Sequence, residues 1–145
     1  MRAKAAVLAA LVVSAPSLCQ TPNCATPQSS AEQTVCAQRD LQSAEAEMHH
    51  ALRKVLAAYS QSDAERAEES RMDKWDQAEA VRYRRVMQRK LTASQRAWLS
   101  YRDAACGAVL AMYENGTMGP RMEASCREAL TRERTTFLRD NFLEP

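Results

Sequence analysis

From Ser29 to Ala105 the chain contains neither glycine nor proline. Strands in a small domain must be joined by tight turns, and those turns draw on glycine and proline for backbone angles that other residues adopt at a cost. A stretch this long without either residue therefore excludes a sheet and predicts long helices. Punctuation is confined to the flanks. Gln20 to Gln28 carries Pro22 and Pro27 among polar turn-formers, and Glu114-Asn-Gly-Thr-Met-Gly-Pro120 marks one clear turn late in the chain.

Periodicity places the helices. Ser30-Ala-Glu-Gln33 fits a capping box and predicts a first helix starting at Ser30. Leu41, Ala44, Met48, Ala51, Val55 and Tyr59 then recur three and four apart, with Leu52 and Leu56 widening the apolar face. A turn is expected between Ser60 and Met72, where Ser62-Asp-Ala-Glu65 and Ser70-Arg-Met-Asp73 compete as the next helix start. The following stretch carries Met72, Trp75, Val86, Leu91, Trp98, Tyr101, Ala105, Val109 and Met112 as its apolar set. One helix of some 45 residues would be about 68 Å long, out of scale for a small domain, so a bend or break near Thr92 is expected. Pro120 suits the first position of a last helix bearing Met122, Cys126, Ala129, Leu130, Phe137 and Leu138. The fold class is all-α: a small antiparallel bundle of three to four helices.

The first residues have a different purpose. Arg2 and Lys4 precede an unbroken apolar run from Ala5 to Val13, with the small residues Ser14, Ala15 and Ser17 behind it. That order is the one a secretory signal requires, and the run is too short for a membrane-spanning helix. Residues 1–19 are accordingly assigned as a signal peptide, 20–29 as an extended lead-in segment and 30–145 as the helical domain. Cleavage after Ala15, after Ser17 or at Cys19 fits equally well. A lipid anchor on Cys19 is not expected, because Leu18 stands where a small residue is required. The mature chain is thus expected in the periplasm or secreted, with no transmembrane segment.

Removing the signal cancels the apparent basicity. The chain has 20 basic and 18 acidic residues, and the loss of Arg2 and Lys4 with no acid leaves 18 against 18. A neutral chain has no general electrostatic attraction for nucleic acid. Charge is instead segregated along the chain. Residues 63 to 80 are mostly acidic, whereas Val81-Arg-Tyr-Arg-Arg-Val-Met-Gln-Arg-Lys90 holds five bases in ten. The first reading of this middle region is a solvated face with pairs such as Glu79 and Arg82, and the second is an anion-binding strip.

Loss of Cys19 would leave Cys24, Cys36, Cys106 and Cys126, an even set that in an oxidising compartment predicts two disulfides. Three pairings are open. A bridge from Cys36 to Cys106, for instance, would close a 71-residue loop worth roughly 4 kcal/mol in the chain-entropy model. No C-x-x-C spacing is present, and His49 and His50, the two histidines, are adjacent and so point about 100° apart on a helix. No metal, no cofactor and no catalytic residue is expected, since no serine or cysteine nucleophile has a visible base.

Leu91 to Cys106 is the most distinctive segment. On a helix Gln95, Trp98, Arg102 and Cys106 share one face, so a guanidinium stands beside a tryptophan and a thiol. Burying that charge demands a carboxylate, and Glu45 on the first helix is the candidate. This segment resembles the lysozyme inhibitor LprI-like, N-terminal domain family. The family's pattern has two early cysteines, an acid followed by Leu-Asn and an aromatic, then Gln-Arg-x-Trp-x-x-Tyr-Arg-Asp-x-x-Cys, a Gly-Gly-Thr, a last cysteine and Leu-Thr-x-x-Arg. Cys24 and Cys36 match the early pair. Gln95, Arg96, Trp98, Tyr101, Arg102, Asp103 and Cys106 match the central motif, and Gly116-Thr117, Cys126, Leu130-Thr131 and Arg134 match the end. The acidic element departs from the pattern, reading Glu45-Ala-Glu-Met48-His49 with Leu52 in the aromatic's place, and the span between the blocks is longer.

The resemblance implies an exported helical binding protein with a protein partner, lysozyme or a related cell-wall hydrolase, which some members inhibit. The motif residues are expected to build the scaffold rather than touch the partner. The flexible loop Tyr113-Glu-Asn-Gly-Thr-Met118 is the segment expected to insert into an enzyme cleft, with Tyr113, Glu114 and Asn115 as contacts and Glu114 steering approach to a cationic enzyme. The alternative is an envelope structural or interaction protein that binds a different partner through residues 63 to 90.

Overall fold

The computed structural model describes residues 21–60, 65, 68–114 and 116–143. The signal-peptide assignment, Cys19, the Ser62 to Ala64 part of one capping box, and Asn115 lie outside the described residues. Three long helices account for most of the rest: α1 (Ser30–Ala58), α2 (Lys74–Met112) and α3 (Gly119–Phe142).

Each start has a local cause. The α1 cap is Ser29, one residue before the expected Ser30. Its hydroxyl accepts from the Glu32 amide at 3.1 Å, and the Glu32 carboxylate accepts in turn from the Gln28 amide at 2.6 Å. The two-way satisfaction of a capping box is kept, shifted one residue toward the N-terminus. Helix α2 begins at Asp73, whose carboxylate accepts from the amides of Trp75 and Asp76 at 2.8 and 3.0 Å. Ser70 is therefore not the cap: an ionised acceptor at a helix N-terminus also meets the positive end of the helix dipole. In α3 Gly119 comes first and Pro120 second, one position later than expected.

Helix α2 runs without interruption through Thr92, which corrects the expected break. Its 39 residues span about 58 Å. The Thr92 hydroxyl donates to the Gln88 carbonyl at 2.8 Å, so the residue that read as a weak point folds its polar group back onto the helix. The excess length is accommodated by overhang. Gln88 donates to the Tyr59 carbonyl at 3.0 Å, level with the end of α1, so Lys74 to Met87 project beyond the bundle by about 21 Å. Part of that overhang is braced by Glu69, which holds Arg84 through both carboxylate oxygens at 2.8 and 3.0 Å.

Cross-helix contacts fix the direction. Glu45 and Met48 of α1 and its C-cap Tyr59 meet Arg102, Gln95 and Gln88 of α2, in descending order, whereas Gln33 meets Arg121 and Ala51 and Lys54 lie beside Arg139 of α3, in ascending order. Helices α1 and α3 are therefore parallel, and α2 is antiparallel to both. Ala37, Ala44 and Ala51 on α1 and Ala124 on α3 are buried. Small residues at these positions let α1 and α3 backbones lie close, and this pair makes the most intimate helix contact. Met48, Ala51, Val55, Leu91 and Leu138 form the apolar centre, with Leu52, Leu56, Tyr59, Trp98, Phe142 and Leu143 packed around it.

Several residues of the expected apolar set lie outside the core. Trp75 is 86% exposed, Met112 79% and Tyr101 60%, and Met72 and Phe137 are also exposed. Trp75 and Met72 lie on or beside the overhang, beyond the ends of α1 and α3. Thr131 and Thr135 are buried in their stead, their hydroxyls returned to the carbonyls of Arg127 and Thr131 at 2.7 and 2.9 Å.

The disulfides are Cys24–Cys36 and Cys106–Cys126. Both are local, and the long Cys36–Cys106 closure is not used. One ties the lead-in segment to the first turns of α1, and the other joins α2 to α3 below the turn between them. Sequence separations of 12 and 20 correspond to about 2.9 and 3.3 kcal/mol in the chain-entropy model.

Candidate functional site

The central motif occupies the middle of the bundle as a polar ladder between the disulfide end and the apolar centre. Arg102 comes from α2 with its side chain 7% exposed. One terminal nitrogen donates to Glu45 at 2.8 Å and to the Thr131 hydroxyl at 3.2 Å, joining all three helices. Its remaining edge meets Asp103 at 3.1 Å, and its guanidinium carbon lies 5.3 Å from the centroid of the Trp98 ring. Glu45 thus stands where the burial argument requires a carboxylate. The charge is compensated by acids that remain partly in water, Glu45 at 34% and Asp103 at 51% exposure. Such an arrangement lowers the desolvation cost, since one of the two charges keeps its solvent. Asp103 also lies 3.9 Å from Arg127, which pairs with Glu123 at 2.9 Å.

About two helical turns away Gln95 connects a second set. Its amide nitrogen donates to the Met48 sulfur at 3.2 Å, and its oxygen accepts from Arg134 Nε at 3.1 Å. Arg134 donates further to the Ser94 hydroxyl at 3.0 Å and lies 5.9 and 5.2 Å from the rings of Trp98 and Phe137. Among the described residues it has no carboxylate partner. Burial pulls its guanidinium below the usual arginine range, while the two ring faces supply part of the missing counter-charge.

Spacing brought Gln95, Trp98 and Arg102 into view and the family pattern Thr131 and Arg134, but Ser94, Thr135, Gln33 and Arg121 were missed. Ser94 and Thr135 carry no distinguishing spacing. The Gln33 to Arg121 hydrogen bond links residues 88 apart and has no local signal. Arg96, although in the motif, is exposed and forms no ion pair among the described residues, and Tyr101 presents its ring to solvent.

The turn between α2 and α3 forms the second candidate region. The Tyr113 and Glu114 amides donate to the carbonyls of Leu110 and Ala111 at 3.1 Å, and the Gly116 amide donates to Tyr113 at 2.8 Å. Glu114 has φ 45°, a left-handed conformation that costs a residue with a side chain about 1–2 kcal/mol. Met112 and Met118 are exposed on either side. Gly119 permits the return: a Cβ there would stand 2.9 Å from the Leu110 side chain. With the Cys106–Cys126 bridge beneath it, the turn is a short, pinned tip with two exposed thioethers, a half-buried tyrosine and one acid.

Among the described residues no group of three histidine, cysteine or acidic side chains could hold a metal ion, and no helix is long and apolar enough to cross a membrane. His49 and His50 are exposed on α1. Among the described residues, fold and site together define a disulfide-stapled protein of three long helices in which Glu45, Gln95, Arg102, Thr131 and Arg134 bond across helices.

The family described as "Lysozyme inhibitor LprI" matches residues 23–138. The chain belongs to this family. It is also similar to the uncharacterized protein R02472 of Rhizobium meliloti (strain 1021), with 32% identity over 143 residues, covering 97% of this chain and 95% of that one. No solved structure matches the chain.

Proposed function

We propose that the chain is exported and acts by binding and inhibiting lysozyme or a related cell-wall hydrolase. The observation that carries this is the family match across residues 23–138, which spans all three helices and both disulfides. Export is supported by the charged start and apolar run at residues 2–13 and by the two disulfides, which persist in oxidising compartments.

In this reading the motif residues Glu45, Gln95, Trp98, Arg102, Asp103, Thr131 and Arg134 act as scaffold, because most of their polar groups bond within the bundle and Trp98 lies against Arg102 and Arg134. The tip around Tyr113 and Glu114, with Asn115, is the contact. Its geometry supports insertion: the bridge and the Gly119 packing hold it before any partner arrives, so little ordering entropy is lost on binding. Met112 and Met118 add adaptable apolar area, and Glu114 supplies an acid toward a cationic enzyme.

The test is a turbidity assay of lysozyme on a cell-wall suspension. Mature protein in micromolar excess slows clearing, and Met118→Asp or Glu114→Lys abolishes the effect without altering the melting temperature. An unchanged clearing rate with the wild-type chain would sink the reading. Inhibition that survives both substitutions would move the contact away from the tip.

A further inference from the structure

The basic segment of α2 is more ordered than a solvated face requires. At 3.6 residues per turn Trp75, Arg82, Arg85, Arg89 and Arg96 fall within about 80° of arc. They form one stripe on the solvent side of α2, away from Leu91, Gln95 and Arg102, which face the bundle. All five are exposed. Arg82 to Arg96 covers about 21 Å along the axis. Among the described residues the one carboxylate within ion-pair distance of these arginines is Glu79, 3.8 Å from Arg82. Arg85, Arg89 and Arg96 have none, and Arg89 Nε reaches only the Arg85 carbonyl, at 3.4 Å.

The stripe borders a groove. A concavity of about 450 Å³ is lined by Val81, Arg82, Arg85 and Arg89, and Gln88 and Thr92 lead from it to a second one whose far wall carries Arg53 of α1. Among the described residues no acid lines either concavity. Like charges three and four residues apart weaken a helix, so in a chain that is neutral once residues 1–19 are set aside, this concentration calls for an external counter-charge. Guanidinium groups recognise sulfate, phosphate and carboxylate through paired donors.

We propose that this groove binds a linear anionic glycan, an extended polysaccharide with an acidic group recurring along it. The straight row of arginines would follow the chain's charges, and the exposed indole of Trp75 would stack on a sugar ring at one end. A bilayer surface fits less well. The groove floor is recessed, and Trp75 is the one large apolar side chain on the stripe, too little to insert into the interface. Single-stranded nucleic acid is disfavoured because its binding grooves intersperse several aromatic platforms with the charges.

The experiment titrates the mature chain, with Trp98→Phe so that Trp75 reports alone, against a heparin oligosaccharide, a single-stranded DNA and phosphatidylglycerol-containing vesicles. Expected is saturable binding of heparin that shifts Trp75 emission and weakens with salt. R82Q/R85Q/R89Q should lower affinity at least about tenfold, with the log–log salt slope falling by about 2, as the loss of three charge contacts implies. Arg53→Gln, on the other wall and another helix, should weaken binding a few-fold. The triple variant should melt no lower than the Trp98→Phe parent, since it removes like charges three and four residues apart, and every variant should keep that parent's effect on lysozyme. Absent heparin binding at low salt, an unchanged affinity in the triple variant with its fold intact, or tighter binding to vesicles or DNA would each overturn the proposal.

Discussion

Replacing Arg102 by methionine removes a side chain that bonds to both other helices while keeping most of its apolar length. Three interactions go with it: Glu45 at 2.8 Å, Thr131 at 3.2 Å and Asp103 at 3.1 Å. Breaking a fully buried ion pair from one side costs about 3–5 kcal/mol, most of it the stranded partner charge. Here the stranded acids are 34% and 51% exposed and regain water, so the lower end applies and is reduced further. The Thr131 hydroxyl keeps its bond to the Arg127 carbonyl at 2.7 Å, which limits its loss to one acceptor contact. The sum is about 2–3 kcal/mol, or a fall in melting temperature of about 10 °C for a domain of this size. Glu45→Gln should cost less, about 1 kcal/mol, because Arg102 keeps Asp103 and an amide oxygen can still accept. Urea unfolding followed by circular dichroism, with disulfides intact, measures both. The double variant should show about 1–2 kcal/mol of coupling. Three results would refute the reasoning: a cost below about 0.5 kcal/mol for Arg102→Met, a larger cost for Glu45→Gln, or additivity in the double variant.

Arg134→Met should cost no more than about 1 kcal/mol, well below Arg102→Met, since it removes a buried charge that has only neutral partners at the expense of two hydrogen bonds; equal losses in urea unfolding would contradict this. Glu114→Gly should raise stability by about 0.5–1 kcal/mol by relieving the left-handed backbone, offset by the extra freedom glycine brings to the unfolded chain. A lower melting temperature in that variant would mean that Glu114 holds the tip by some other means. Cys106→Ser/Cys126→Ser should cost about 3 kcal/mol in the chain-entropy model and loosen the tip. Hydrogen exchange should then rise fastest at residues 110–119, and uniform exchange would show that the bridge does not pin the turn.

How much was legible depended on the range over which each rule acts. Helix formation and capping are decided within four residues, so the lack of glycine and proline and the Ser30–Gln33 box sufficed to place the cap of α1 to within one residue. The pairing of Arg102 with Glu45 was readable because a buried charge restricts its partners to acids, and Glu45 lies on the apolar-striped helix beside Ala44 and Met48. Arg134 was not readable in the same way. Its neutral partners Gln95 and Ser94 and its two aromatic neighbours satisfy it by position rather than by opposite charge.

The family resemblance rested on ordered motifs, and most of those residues meet in one layer of the bundle because a three- and four-residue spacing stacks them on one side of α2. Tyr101, Trp75 and Met112 show the limit of that argument. Their spacing is compatible with a core face, yet whether a face is covered depends on how far the neighbouring helix extends.

The sequence by itself determined that the chain is helical, where the first and last helices begin to within one residue, and that a buried Arg102 would require a carboxylate. Only the tertiary structure decided that α2 stays whole and overhangs, that α1 lies nearest α3 through their alanines, and that Cys24 pairs with Cys36 and Cys106 with Cys126. The reason is physical. A local rule needs only the residues within one helical turn, whereas a disulfide, an overhang or a helix neighbour depends on the distance between segments that the chain brings together from far apart.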